Sequence, residues 1–188
     1  MILTIHCDIC GRECDPPTPE QVERSKDSLA GNRRPRLACE GTCYQRARVL
    51  EEAETWLRTP FHHEARVKGA GVDCAMLLAE VYERVGLIPR QSPDHYSAQW
   101  HLHRDDEKYL PWILANAVET HSAPSPGDIV MFKIGRAWSH AGIVLSWPLI
   151  IHAWFQTGVE TNDASLDPLR TYPRRFFTLK AWLEGGEE

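Results

Sequence analysis

One thiol and two imidazoles, Cys74, His140 and His152, stand where their residue types and order could do nucleophilic chemistry. A thiolate is the nucleophile, and a free thiol is mostly protonated at neutral pH, so it needs a local device to activate it. A helix N-terminus is such a device, because its unpaired N–H groups and positive dipole end favour an anion. Asp73, a good N-cap type, directly precedes Cys74. Behind it Leu77, Leu78, Val81 and Val85 recur on one helical stripe, with Glu80, Glu83 and Arg84 off it. The spacing predicts a helix over 74–85 that ends at Gly86, with Pro89 beyond. Gly69 and Gly71 allow the chain to come close to the first turn, and the N–H groups there could hold an oxyanion.

A thiol nucleophile needs a base in reach, and the base needs a third group to orient it. His140 and His152 lie in segments that alternate like strands, SHAGIVL (139–145) and LIIHAWF (149–155), joined through Ser146, Trp147 and Pro148. If the two strands pair directly through an odd-numbered loop, both rings face one way and can lie opposite each other. One imidazole can then deprotonate Cys74 while the other fixes its tautomer. Each residue alone has a plainer role: a buried small apolar side chain for the cysteine, a satisfied core or surface group for a histidine. The order helix, strand, strand makes the joint reading the stronger one.

Five further cysteines crowd the first 43 residues: Cys7, Cys10, Cys14, Cys39 and Cys43. Close cysteine pairs without a secretory context read as metal ligands more readily than as disulfides. A segment of about 45 residues also has too little core to fold without a staple. Cys7-x-x-Cys10 and Cys39-x-x-x-Cys43 can supply a four-thiolate site, with Cys14 and His6 as further candidates. Zinc is the expected ion; an iron–sulfur cluster is the alternative. Arg33, Arg34, Arg36, Arg46 and Arg48 could touch nucleic acid, but neighbouring acids leave the segment almost neutral.

Around these groups the chain divides near residue 45, into a Cys-rich module over 1–45 and a larger unit over 46–188. A short polar helix is expected from Thr18-Pro19-Glu20-Gln21 to about Ala30, then a basic loop over 32–38. A second helix is expected from Thr42 to Arg58, with Ala47, Leu50, Ala53 and Leu57 at helical spacing and Thr59-Pro60 to stop it. Residues 90–104 read as irregular, and 105–119 as a helix. After the turn at Pro124–Gly127 come strands at 128–134, 139–145, 149–155, near 158–161 and around 175–182. Helices first and an antiparallel sheet after them is an α+β order. A net charge of -5 argues against broad nucleic-acid binding. No apolar run reaches the roughly 18 residues of a membrane span, and MILTIHCDIC lacks the features of a secretory signal.

The segment WLRTPFHHEARVKGAGVDCAMLLAEVY resembles the nucleophile region of NlpC-type cell-wall peptidases. PSPGDIVMF with WSHAGIVL resembles that family's base strand, and LIIHAW the strand of its third residue. The resemblance spans about Trp56 to Trp154. It implies a papain-like fold with Cys74 as nucleophile, His140 as base and His152 as orienting group. It implies hydrolysis of peptidoglycan stem peptides without a catalytic cofactor. The form His62-His63-x-x-x-x-Lys68-Gly69-x-Gly71 looks like the tail-associated members carried by phages, which implies tail or virion proteins as partners and assembly in a host bacterial cytoplasm. Phe61 stands where many members have tyrosine, and Ala75-Met76 where many have Ser-Gly. These departures support a second reading, a structural tail protein that keeps the fold with little activity. A third, a metal-dependent nucleic-acid binder, has the acidic balance against it. Asp73, Trp138 and Trp154 are further candidates for substrate contact. A helix cap competes for Asp73, and core packing for the tryptophans.

Overall fold

In a computed structural model, which describes residues 5–14, 19, 36, 38–39, 41–90 and 109–184, one six-stranded antiparallel sheet carries helices on one face. The expected polar helix over 20–30 and the irregular stretch over 91–104 lie outside the described residues. The elements run β1 (Ile5–His6), β2 (Glu13–Cys14), α1 (Thr42–Glu54), β3 (Arg66–Val67), β4 (Gly71–Val72), α2 (Cys74–Val85), α3 (Tyr109–Asn116) and β5 (Ala117–Thr120). Then follow β6 (Ile129–Ile134), β7 (Ala137–Ser146), β8 (Leu149–Trp154), β9 (Gly158–Asp163), β10 (Arg174–Leu179) and α4 (Ala181–Glu184). The sheet order is β5-β10-β6-β7-β8-β9, and β1–β2 and β3–β4 are small hairpins.

Alternation along the strands sorts the core into two clusters. Ile129, Met131, Ile143 and Ile151 pack with Leu50, Leu77 and Val81 of the helices. Val130, Phe132, Val144 and Ile150 pack on the opposite face with Ala164 and Leu169. Helix α2 spans the range its sequence predicts. Asp73 caps it by accepting from the Met76 N–H at 2.9 Å, and Gly86 closes it in the left-handed region at φ 81°. It buries more than one stripe, since Met76, Ala79, Tyr82 and Glu80 are also inside. Glu80 is tolerated there because Arg66 and Arg84 reach it at 2.8 and 2.9 Å.

Helix α1 stops at Glu54 rather than Arg58. The segment after it is drawn into the sheet edge: Arg58 N–H donates to Val159 O at 2.8 Å and Val159 N–H to Thr59 O at 2.9 Å. This approach requires a glycine at 158, where a Cβ would sit 2.3 Å from Thr59 O. The expected helix over 105–119 ends at Asn116, and its last residues become β5, because Ala117–Thr120 pair with Leu179–Phe176. The division expected near residue 45 falls inside α1, whose Arg46 joins Asp128 beside β6 at 2.9 Å. No helix among the described residues is long and apolar enough to cross a membrane.

Candidate active site and metal centre

Cys74 opens α2, and its thiol meets β7 at an irregular point of the strand. Phe132 pairs with His140 and Lys133 with Trp138, so Ser139 is the extra residue of a β-bulge. The carbonyl freed there accepts the Cys74 S–H at 3.8 Å, while the Ala141 N–H is also aimed at the sulfur. The nucleophile helix and the strand that carries His140 are thereby joined on either side of that histidine. In the resting molecule the thiol is given to this carbonyl rather than to an imidazole. Burial pushes the Cys74 thiol up to about 12 and the charge of Asp73 adds to the rise; the N–H groups of Ala141, Ala75 and Cys74 pull it down without offsetting it.

His140 and His152 face one way, as the alternation predicts, but they do not lie opposite each other. Gly142 is the direct partner of His152, and a second bulge between Val144 and Ser146 sets that register. His140 is therefore the diagonal neighbour, within reach of a ring but not of a backbone pair. Gly142 makes room for the reach, since a Cβ there would meet the His152 Cβ at 3.1 Å. His140 Nε2 and His152 Nδ1 are 2.7 Å apart. Both rings are buried, at 6% and 0% exposure, on the sheet face that holds Phe132 and Trp154. Burial, with the neighbouring His152 charge, holds His140 well below the usual imidazole value. Burial pushes His152 down to about 4, against a partial upward pull from Glu160. At rest the thiol and both imidazoles are thus neutral.

The model for the NlpC/P60 family matches residues 58–174, well over half of the chain and all of this geometry. The chain belongs to the NlpC/P60 family. Its fold is similar to the solved NlpC1 of Trichomonas vaginalis, with 18% identity and a TM-score of 0.51 over 71% of this chain and 43% of that one. NlpC2 of the same organism is similar at 18% identity and a TM-score of 0.50, over 71% and 44%. The chain thus spans less than half of either Trichomonas structure. The NlpC/p60 domain of the peptidoglycan hydrolase SagA aligns at 17% identity and a TM-score of 0.48, over 69% of this chain and 96% of that domain. No curated protein sequence matches. Family membership makes this chain a cysteine peptidase by class.

Other residues of this NlpC/P60 site take more specific places than residue type and spacing alone assign. Asp73 is 1% exposed, and both its oxygens face protein: Oδ1 caps α2 and Oδ2 accepts the Glu64 N–H at 2.8 Å. His63 Nδ1 lies 3.6 Å from the same carboxylate. His62 packs over Gly71, where a Cβ would meet its ring at 2.6 Å. Phe61 bridges to Val72 beside the nucleophile. Trp138 packs on the helix-side core under the Arg175 guanidinium. Trp154 stands edge-on to His140, with ring centres 5.0 Å apart, and tilts against His152 at 5.6 Å.

Four further residues of the site are not marked by the motifs. Ser139 and Tyr109 touch the nucleophile's turn, the latter by donating to Cys74 O at 3.2 Å. Glu160 and Asn162 stand behind His152, with Asn162 Nδ2 3.0 Å from His152 Nε2. The last pair had a signal. A hairpin turning at Gly158 puts Glu160 across from His152 and Asn162 on the same face.

Ahead of the matched stretch, Cys7, Cys10, Cys39 and Cys43 bring their sulfurs within 4.8 Å of one another. Cys10 and Cys39 are 3.7 Å apart, close to the roughly 3.8 Å edge of a tetrahedron whose metal–sulfur bonds are about 2.3 Å. The N–H groups of Ile9, Cys10 and Cys39 all point at Cys7 Sγ, at 3.4, 3.4 and 3.5 Å. Such donors favour a thiolate there. Arg12 donates to Cys10 Sγ at 3.4 Å and holds that thiol down at about 6. These features fit one metal ion held by four thiolates. A cubane cluster gives each thiolate its own iron and needs wider spacing. His6 turns away and bonds to Gly11 O at 3.2 Å. Cys14 sits in β2, and its side chain lies outside the described residues.

Proposed function

We propose that this chain is a cysteine endopeptidase that cleaves an amide bond in the stem peptide of peptidoglycan. The observation that carries the reading is the Cys74 thiol docked on the bulge that precedes His140, whose ring is tied at 2.7 Å to His152. Only His140 Nδ1 is free of that tie, so Nδ1 is the atom that takes the thiol proton once the thiol turns from Ser139. The sulfur then attacks the peptide carbonyl, and N–H groups of the first turn of α2 stabilise the oxyanion. His140 returns the proton to the departing amine, and water attacks the thioester by the reverse path. His152 keeps the imidazole of His140 in place. No step calls for a cofactor. Trp138 and Trp154 are the proposed walls for substrate.

Cys74→Ala and His140→Ala are each expected to abolish release of new amino groups from purified peptidoglycan. Wild-type activity in both would sink the assignment.

The amino-terminal cysteines are proposed to bind one structural zinc through Cys7, Cys10, Cys39 and Cys43. Residues 1–45 then act as a docking module for the peptidase unit over 46–188. The ion would supply folding energy and no chemistry. Metal analysis of the pure protein is expected to give one zinc per chain and less in Cys39→Ser; a fully folded, metal-free wild type would count against it. The His62-His63 and Lys68-Gly69-x-Gly71 pattern supports a place in a phage tail, assembled in the host cytoplasm with other tail proteins. Recovery of the chain in purified tail particles tests that placement, and its absence from them refutes it.

A further inference from the structure

His152 has two ring nitrogens, and the structure gives each a partner. Nδ1 lies 2.7 Å from His140 Nε2, and Nε2 lies 3.0 Å from Asn162 Nδ2. The same Asn162 Nδ2 is 2.9 Å from Glu160 Oε1. An ionised carboxylate only accepts hydrogen bonds, so it demands the amide's NH₂ end. With one of its two hydrogens on Glu160, the other points at His152 Nε2, which must then be a lone pair. The proton of neutral His152 is left on Nδ1, where it is donated to His140 Nε2. The proton of neutral His140 is in turn left on Nδ1.

We infer that Asn162, oriented by Glu160, is a positioning residue that sets which nitrogen of His152, and through it of His140, carries the proton. The inference rests on the peptidase reading for its consequence. A base that works through His140 Nδ1 needs a lone pair there. The ready tautomer therefore has His140 Nε2–H donating to His152 Nδ1, and His152 Nε2–H donating to an acceptor. Asn162 Oδ1 is that acceptor, once the amide has turned over and let go of Glu160. In the change the His152 Nδ1 proton passes to His140 Nε2. His140 Nδ1 gives one proton to water in the cleft, and water gives one to His152 Nε2 while the amide is turned away, so the charge is unchanged. Glu160 thus holds the relay in its idle state. Glu160 faces His152 directly across the β8–β9 ladder. Among the described residues, Glu160 is the charged group whose field acts on the ring, and His140 is its titratable neighbour at 2.7 Å.

The test is the tautomer itself, read from imidazole ¹⁵N shifts of the full-length protein beside steady-state kinetics on peptidoglycan. Wild type is expected to carry the His152 proton on Nδ1. Glu160→Gln frees the amide, and the proton is expected to move to Nε2 while kcat rises roughly tenfold, the factor one charge-assisted hydrogen bond corresponds to, with KM unchanged. Asn162→Leu, a second variant should the first fail to fold, is expected to leave His152 as a mixture of tautomers. A His152 proton already on Nε2 in wild type overturns the proposal. So does a tautomer that stays fixed in the variants, or one that moves in Glu160→Gln with kcat unchanged or lowered. If instead Cys74→Ala stays active while the ¹⁵N shifts behave as expected, the peptidase reading fails and the tautomer assignment stands.

Discussion

At the scale of single residues, the chemistry turns on how a thiol is kept quiet. Cys74 has the helix-end N–H groups that favour a thiolate, yet burial and the adjacent Asp73 charge outweigh them and push it to about 12. His140 is held neutral by the same burial. A thiol of this kind should react slowly with a small alkylator at pH 7, and its rate should climb about tenfold per pH unit with no plateau from pH 7 to 10. The measurement is iodoacetamide labelling of Cys74 followed by peptide mass spectrometry. A plateau near neutral pH would show a preformed thiolate–imidazolium pair and contradict the resting state described. The position of Cys74, its helix and the two imidazoles were all legible, because residue type and period carry them. The bulge at Ser139 was not, since nothing in SHAGIVL marks where an extra residue enters the ladder.

Elements position these groups through their ends rather than their middles. Asp73 ties two pieces together: it caps α2 through Met76 and holds the loop before the nucleophile through Glu64. Asp73→Ala removes a cap worth about 1–2 kcal/mol and leaves the Glu64 N–H without its partner, about 1–3 kcal/mol more. A loss of roughly 2–5 kcal/mol in urea unfolding is expected from these two contributions together, with kcat falling because the sulfur loses its seat. A variant as stable and as active as wild type would remove Asp73 from this role. The range of α2 was readable because its cap, stripe and terminating glycine agree. The end of α1 was not, because pairing of Arg58 and Thr59 with Val159 decides it, and that partner lies about a hundred residues away in the chain. The conversion of 117–120 from helix to strand has the same origin, pairing with β10.

For the molecule as a whole, two buried neutral histidines couple the site to folding. An unfolded chain protonates both below about pH 6.5. The folded chain resists, because burial pushes His152 down to about 4 and His140 well below its usual value. Between pH 6.5 and about 4 the unfolded state therefore binds more protons, and stability falls as pH falls. The contribution is fully present above pH 6.5. His152 alone removes about 1.4 kcal/mol per pH unit through that window, on the order of 3 kcal/mol in all, and His140 adds to the loss in the same direction. Carboxylates also destabilise a protein in acid, so the wild-type slope is not by itself decisive. The comparison with His152→Gln is, because glutamine does not titrate. Urea unfolding at half-unit steps should show the variant losing less stability per pH unit than wild type, by about 1.4 kcal/mol. Parallel slopes would mean that His152 enters the folded state as readily charged as neutral. The buried relay to His140 and Asn162 would then have no energetic hold on its protonation.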